Sequence, residues 1–139
     1  MAVTLFPHAS SALLEAAQVS AGRPLGLLGH PVLHFVTAGS TNDIAQSRAR
    51  GGAPEGLLVL AEEQMAGRGR RGRRWESPRA AGLLASLLLR PTFLPPERAF
   101  LLAALAALAI SEAVGQETGL GVALKWPNDL LIAGRKVCG

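Results

Sequence analysis

The residues best suited to chemistry lie in one short segment, which we call the arginine loop: Gly67-Arg68-Gly69-Arg70-Arg71-Gly72-Arg73-Arg74-Trp75. Guanidinium groups carry permanent charge and forked donors for phosphate or carboxylate oxygens. Glycines let the backbone approach a ligand closely. This alternation predicts a cationic flap over a small anion, with Trp75 packing at its far end. On composition alone, a solvated loop or an RNA-binding tract fits as well.

The glycines of this loop also satisfy the pattern G-x-G-x-x-G, at Gly67, Gly69 and Gly72. A dinucleotide site needs a helix that opens at the third glycine, with its N-terminus facing the pyrophosphate. Residues 73–78 instead include a proline and have no apolar helical period. The sequence also contains no Gly-Lys-Ser/Thr. Both a Rossmann fingerprint and a Walker A loop are therefore excluded.

The second candidate segment runs from Lys125 to Leu130 with the letters KWPNDL. Only two lysines occur in the chain, Lys125 and Lys136, and both lie in this region. A hairpin that turns at Ala133-Gly134 would return Lys136 to a position beside Asp129. A cation and a carboxylate would then face one ligand, whereas the alternative interpretation is an ordinary Pro-Asn-Asp turn.

A third group, Ser40-Thr41-Asn42, precedes a predicted helix, and capping side chains explain it fully when it is taken alone. The three histidines share no metal-ligand spacing, so a zinc site is not expected. Cys138 lies in an apolar strand context, which predicts a packed thiol rather than a nucleophile.

The elements that must position these residues alternate between strands and helices. Apolar runs predict strands at residues 32–37, 57–61, 83–89 and 121–125, and a hairpin over 130–137. Helices are predicted at 13–19, from Ser40 to a stop at Gly51-Gly52, and over about 97–118. Residues 64–78 are polar and form no element. This mixture predicts an α/β or α+β domain.

Composition narrows the class of protein further. The chain has 139 residues, 49% of them hydrophobic, which excludes a disordered tail. Its single cysteine excludes a disulfide framework, and the N-terminus has no secretory pattern, so we expect a soluble cytoplasmic protein. The apolar run at 99–110 is shorter than the roughly 20 residues of a membrane span and predicts a buried helix. Five of the fourteen basic residues lie in the arginine loop, a density suited to one small polyanion.

In their order along the chain, STN, Gln64 with GRGRRGR, KWPNDL and RKVCG resemble the biotin–protein ligases. The resemblance covers residues 32–139 and follows an N-terminal extension, 1–31, without a helix-turn-helix. It implies a mixed sheet flanked by helices, related to the lipoate ligases. Because the sequence stops inside a predicted strand, we expect the remainder of the catalytic domain and a small C-terminal domain to be absent.

The resemblance implies that biotin and ATP are the substrates, with Mg²⁺. It implies that biotin is bound by Ser40, Thr41, Asn42, Gln64, Arg68, Gly69, Arg70 and Lys136. Nucleotide-binding residues would be Arg70, Arg71, Trp75, Lys125, Asn128 and Asp129, with Asp129 also the candidate Mg²⁺ ligand. Catalysis is assigned to Arg68, Arg70, Asp129 and Lys136. The implied partner is the biotin carboxyl carrier domain of a carboxylase; DNA and membrane binding are not expected, and a homodimer is left open.

Three alternatives stay open. A lipoate or octanoate transferase shares the fold, but its Arg-Arg-x-Ser-Gly-Gly-Gly-type loop is not found in this sequence. An RNA-binding module would use the arginine loop, although only 4% of the residues are aromatic and stacking platforms are scarce. The third is an inactive fragment of a ligase.

Overall fold

The structure is a computed structural model that describes residues 28–69 and 72–139. The predicted helix at 13–19, and the candidate residues Arg70 and Arg71, lie outside the described residues. The chain divides into two compact units, one ending at Arg90 and one beginning at Pro91. The predicted α+β class is confirmed, because each unit combines a small sheet with one α-helix.

The first unit contains a mixed three-stranded sheet with the order β1-β2-β3. Its strands are β1 (Val32–Ala38), β2 (Leu58–Gln64) and β3 (Leu84–Leu87). Strands β1 and β2 are parallel, and β3 pairs antiparallel with β2. All three predicted strands are therefore confirmed. Strand β2 continues as far as Gln64, which the sequence had placed at the start of a loop.

Helix α1 (Thr41–Arg50) forms the crossover between the two parallel strands. It ends where Gly51-Gly52 predicted, since Gly52 adopts a left-handed φ of 83°. The N–H of Gly52 donates to the carbonyl of Ala49 at 3.2 Å, and the N–H of Ala53 donates to that of Arg48 at 2.9 Å. These two bonds form a Schellman motif, which satisfies the last carbonyls of the helix.

The core of this unit lies between α1 and the sheet. Ala45 of α1 packs with Leu57 and Val59, which are 1% and 0% exposed. Partly buried Phe35 and Ile44 close the cluster from β1 and α1. Burial of such side chains is the main favourable contribution to folding, at about 25 cal/mol per Å² of apolar surface. The helix is thereby fixed over the strands whose ends form the candidate site.

The side chain of Arg90 caps the C-terminal end of α1, so its substitution should lower the stability of the first unit. Its Nη2 donates to the carbonyls of Ala49 and Ala53, at 3.1 and 3.0 Å. We expect Arg90→Met to lower the free energy of unfolding by about 1–2 kcal/mol, because two charge-assisted hydrogen bonds are lost. Urea denaturation measures this loss. The control Arg50→Met removes a charge from the last turn of the same helix and should cost about 0.3 kcal/mol; equal losses in the two variants would contradict the capping role.

The second unit contains a short 3₁₀ helix, Pro96–Arg98, and the long helix α2 (Phe100–Thr118). An antiparallel sheet follows, formed by β4 (Val122–Lys125), β5 (Asp129–Ile132) and β6 (Arg135–Cys138). The turn between β5 and β6 lies at Ala133-Gly134, as predicted, with φ values of 49° and 75°. Two successive positive φ angles are typical of a tight hairpin turn whose twist matches that of the strands.

The prediction that α2 is buried is wrong for the described chain. Only Ala104 and Ala107 of this helix are buried, whereas Leu105 is 63% exposed. The helix is apolar around most of its circumference, and the three short strands of its unit cover only one side. By length and composition alone, Pro96–Thr118 could cross a membrane, with a mean hydropathy of 1.7. Apolar core helices meet the same criteria.

Candidate active site

The parallel pairing of β1 and β2 brings two of the sequence motifs side by side. Ala38, the last residue of β1, is in register with Gln64, the last residue of β2. The ladder continues past both strands, because the N–H of Met65 donates to Ala38 and that of Ala66 donates to Gly39, at 2.9 and 2.8 Å. Carboxyl ends of parallel strands are a frequent place for ligand sites. The start of α1 and the start of the arginine loop therefore lie at one edge of the sheet.

A partly buried polar cluster occupies this edge. The Oε1 atom of Gln64 accepts hydrogen bonds from the backbone N–H of Thr41 at 2.7 Å and from its hydroxyl at 3.0 Å. The same hydroxyl lies 2.9 Å from the hydroxyl of Ser86 on β3. Because the Gln64 oxygen accepts twice and Thr41 donates to it, Ser86 donates to Thr41. The Nε2 group of Gln64 is then the part of this amide suited to donate to a ligand.

The prediction that Ser40 caps α1 with its side chain is wrong. Ser40 occupies the N-cap position with extended backbone, but its side chain forms no capping hydrogen bond. Gln64, which is distant in sequence, satisfies the Thr41 N–H instead. The hydroxyl of Ser40 thus does not cap the helix.

The other residues of this motif differ in exposure. Ser40 is 4% exposed and lines an open cleft of about 750 Å³, whereas Asn42 is exposed. The cleft runs along α1 from Gly39 to Ala53. Its lining includes neither Thr41 nor Gln64. We therefore locate the site by the Thr41–Gln64 cluster, because hydrogen bonds define it, rather than by the cleft.

The two described arms of the arginine loop, Gly67–Gly69 and Gly72–Trp75, run antiparallel. Arg68 and Arg74 form an isolated bridge, and the N–H of Gly69 donates to the carbonyl of Arg73 at 2.7 Å. At the neck of the loop, the N–H of Trp75 donates to the carbonyl of Gly67 at 2.9 Å. Apart from this bridge, the described part of residues 65–78 contains no strand or α-helix, as predicted.

Trp75 anchors the second arm, as the sequence predicted. Its half-buried indole packs against the core cluster of Ala38, Ala61 and Leu84. These residues belong to β1, β2 and β3, so the anchor touches every strand of the sheet. The assignment of Trp75 to nucleotide binding stays a prediction.

Arg68 of the first arm pairs with Asp43 in the first turn of α1. The two guanidinium nitrogens Nη1 and Nη2 donate to the two carboxylate oxygens, in a forked arrangement. Hydrogen bonding to Asp43, and its negative charge, raise the pKa of the Arg68 guanidinium. Both side chains are exposed, at 59% and 50%, so an anionic ligand can reach the arginine by displacing the carboxylate.

In the second unit, the hairpin brings Lys136 beside Asp129, as predicted. The Nζ atom of Lys136 lies 2.8 Å from Oδ1 of Asp129, and the two side chains are 40% and 31% exposed. Asp129 is also in register with Lys125 of β4, whose side chain is exposed. The structure thus brings together three of the predicted residues, Lys125, Asp129 and Lys136, and Asn128 directly precedes Asp129 in the β4–β5 turn. Their roles toward a nucleotide stay predictions.

Sequence reasoning missed two residues of the first unit that contact predicted ones: Ser86, which bonds Thr41, and Asp43, which pairs with Arg68. Neither belongs to a recognisable motif. In the sequence, Asp43 was recognised only as one of the residues that can cap a helix. The position of Ser86 depends on the register of β2 with β3, in which Ser86 faces Val59.

The single cysteine allows a test of the β5–β6 packing. Cys138 is half-buried opposite the fully buried Leu130, and burial raises the pKa of its thiol despite the nearby charge of Lys136. A raised pKa means less thiolate at a given pH, so we expect iodoacetamide to alkylate Cys138 more slowly at pH 8 than the same chain in concentrated urea. Mass spectrometry over a pH series measures the rate. Equal rates in the folded and unfolded chain would show that the thiol is solvated.

The model of the biotin/lipoate A/B protein ligase family matches residues 35–139. The chain belongs to this family. The two candidate site regions, one at the edge of β1 and β2 and one in the hairpins of β4–β6, contain the motifs that carry the family resemblance.

Relatives and solved structures agree with this membership. The chain is 36% identical over 126 residues, 91% of its length, to the bifunctional ligase/repressor BirA of Bacillus subtilis. It is 48% identical over 83 residues, 58% of its length, to the biotin–[acetyl-CoA-carboxylase] ligase of Paracoccus denitrificans. Those matches span 38% and 34% of the two relatives. The chain therefore covers well under half of the length of these curated relatives.

Among solved structures, the biotin protein ligase from Aquifex aeolicus in complex with biotin and ATP is similar, with a TM-score of 0.65 and 33% identity. The match covers 78% of this chain and 44% of that one. The biotin protein ligase from Leishmania major in complex with biotin has a TM-score of 0.62 and 31% identity over 76% of this chain and 48% of that one.

Proposed function

We propose that the protein to which this chain belongs is a biotin–protein ligase, which activates biotin with ATP and transfers it to a lysine of a carboxylase carrier domain. One observation carries this proposal: Oε1 of Gln64 accepts both hydrogen bonds from Thr41. This contact joins the STN motif and Gln64, three residues before the arginine loop, into one cluster. The resemblance assigns both motifs to the biotin site. The names of the relatives from Paracoccus denitrificans and Aquifex aeolicus support the same activity.

In the first step, a carboxylate oxygen of biotin attacks the α-phosphorus of ATP. A new O–P bond forms, the bond to the pyrophosphate oxygen breaks, and pyrophosphate leaves with its electron pair. Negative charge accumulates on the α-phosphate oxygens during this displacement. Preorganised cations stabilise such charge best, and Lys136, fixed by Asp129 at 2.8 Å, is preorganised in this sense. Arg68 is suited to the same task once it leaves Asp43.

In the second step, the neutral amine of the acceptor lysine attacks the acyl carbon of biotinyl-5′-adenylate. An amide bond forms, AMP leaves, and the nitrogen releases one proton. The mixed anhydride hydrolyses readily, so the site must exclude water until the acceptor arrives. We infer that the paired arms of the arginine loop, which are joined at Gly67 and anchored by Trp75, shield the edge where the Thr41–Gln64 cluster lies.

We propose that Mg²⁺ comes with ATP as part of the substrate complex rather than from a protein site. The Oδ1 atom of Asp129, the predicted ligand, is already paired with Lys136. Mg²⁺ commonly retains waters and phosphate oxygens as most of its ligands.

Biotin-dependent exchange of labelled pyrophosphate into ATP tests the proposal. We would measure it on this chain and on a chain extended through any continuing reading frame, with lipoate and octanoate as controls. Exchange with biotin, and not with the two controls, is the expected result. Exchange with lipoate or octanoate alone would reassign the substrate within the family. No exchange in either chain would overturn the proposed activity.

A further inference from the structure

The segment that leaves the arginine loop, residues 76–82, is bound to Glu62 of strand β2. The N–H of Ala80 donates to the backbone carbonyl of Glu62 at 3.0 Å. The guanidinium of Arg79 donates to Oε2 of Glu62 from Nε at 3.4 Å and from Nη2 at 3.3 Å. Glu62 therefore binds this exit segment through its main chain and its side chain together.

Glu62 is an unusual residue for the interior of a strand. Its side chain is 8% exposed, and a buried carboxylate is costly unless it is paired. The imidazole of His34 faces it, with 3.7 Å between Nε2 and Oε1, but neither of these two atoms forms a hydrogen bond within the described part of the chain. Arg79, which is 58% exposed, thus provides the hydrogen-bonded countercharge.

The position of Glu62 on β2 links it to the candidate site. Glu62 lies two residues before Gln64, the last residue of β2. Gln64 fixes the start of α1, and the first arm of the arginine loop begins three residues after it. The last residues of β2 therefore fix both the segment that leads into the loop and the segment that leaves it.

The exit segment also has backbone strain at the point of attachment. Ala80 has a φ of 55°, a left-handed conformation that non-glycine residues rarely adopt. Such conformations persist where surrounding contacts enforce them. At Ala80, the enforcing contacts are the hydrogen bonds that Ala80 and its neighbour Arg79 donate to Glu62.

We propose that Glu62 is a positioning residue for the arginine loop and acts through Arg79. Its carboxylate fixes the exit segment, and thereby the second arm, Gly72–Trp75. The effect of this on catalysis rests on the proposed function, whereas its effect on the loop does not. A residue that only stabilised the fold would affect all parts of the first unit alike.

Limited proteolysis separates these two roles, because the second arm contains the trypsin sites Arg73 and Arg74. We expect Glu62→Gln and Arg79→Met each to speed cleavage after these residues about fivefold, as expected for loss of one charged hydrogen-bonded pair. The double variant should be no faster than either single one, since both remove the same contact. Arg79→Lys should restore part of the protection. Glu63→Gln, on the neighbouring residue of β2, is the matched control, and cleavage after Arg50 at the end of α1 reports opening elsewhere in the first unit.

A functional measurement completes the test, on this chain and on a chain extended through any continuing reading frame. We expect Glu62→Gln to speed release of biotinyl-5′-adenylate about fivefold, with the dissociation constant of biotin within about twofold of the parent value. Unchanged cleavage after Arg73 and Arg74 would overturn the proposal. So would a rise at Arg50 equal to that in the loop. If the parent protein shows no biotin-dependent exchange, the proposed function fails, and the cleavage series alone decides whether Glu62 positions the loop.

Discussion

Lys136→Met is expected to slow biotin-dependent pyrophosphate exchange by about 100- to 1,000-fold, the usual effect of removing one preorganised group that stabilises transition-state charge. Methionine retains the length and packing of the lysine stem but has no charge. The ammonium of Lys136 is fixed at 2.8 Å from Asp129 by a hairpin whose turn is only two residues long. Little reorganisation is therefore needed when charge develops on the α-phosphate.

Two further variants distinguish this role from general stabilisation of the hairpin. Arg135→Met removes the neighbouring cation, which points to the other face of β6, and should leave the exchange rate within about threefold. Asp129→Asn retains the shape of the turn but releases Lys136, so we expect an intermediate loss of about 10-fold. A Lys136→Met protein that exchanges pyrophosphate at the parent rate, with unchanged thermal stability, would remove Lys136 from the reaction.

The contacts of Lys136 and Gln64 show which parts of the site a sequence can predict. Asp129 and Lys136 are joined by a short hairpin, and the turn at Ala133-Gly134 sets the pairing of Ile132 with Arg135 and of Leu131 with Lys136, before the register shifts at Leu130. Local turn chemistry was therefore sufficient to place the two charges together. The contact of Thr41 with Gln64 depends on parallel pairing across a helical crossover. No local pattern determines that register, so Ser40 was wrongly expected to cap the helix.

Burial was predicted well for strand β2 and poorly for strand β3 and helix α2. Leu57 and Val59 in the run 57–61 are buried as expected. The run 83–89 was also expected to be buried, but only Leu84 is, whereas Leu83 and Leu87 are 70% and 41% exposed. The same reasoning failed for α2. An apolar composition shows that a helix favours burial, but it does not show which element packs against it. Within its own unit, α2 contacts a sheet of three short strands, and Leu105 and Leu108 are 63% and 56% exposed.

Gly67→Ala is expected to open the neck of the arginine loop and to speed release of biotinyl-5′-adenylate by about 10- to 100-fold. A Cβ atom at Gly67 would lie 2.5 Å from the carbonyl oxygen of Trp75, and this contact is with backbone. Trp75 cannot yield easily, because its indole packs on Ala38, Ala61 and Leu84 and its N–H donates to Gly67. Overpacking of this kind costs about 1–3 kcal/mol, which corresponds to the expected change in rate if the strain falls on the closed loop.

The matched control for this variant is Gly121→Ala, since an added Cβ at Gly121 meets nothing within 4 Å. Release is measured by forming the adenylate on the enzyme, removing free ligands and following the appearance of free adenylate. The clash acts on a loop and not on the core, so thermal stability should fall much less than retention of the intermediate. If Gly67→Ala releases the adenylate at the parent rate, the two arms do not retain the intermediate. Faster release without a comparable loss of stability assigns retention to the 2.9 Å bond between Gly67 and Trp75 and to the anchor behind it.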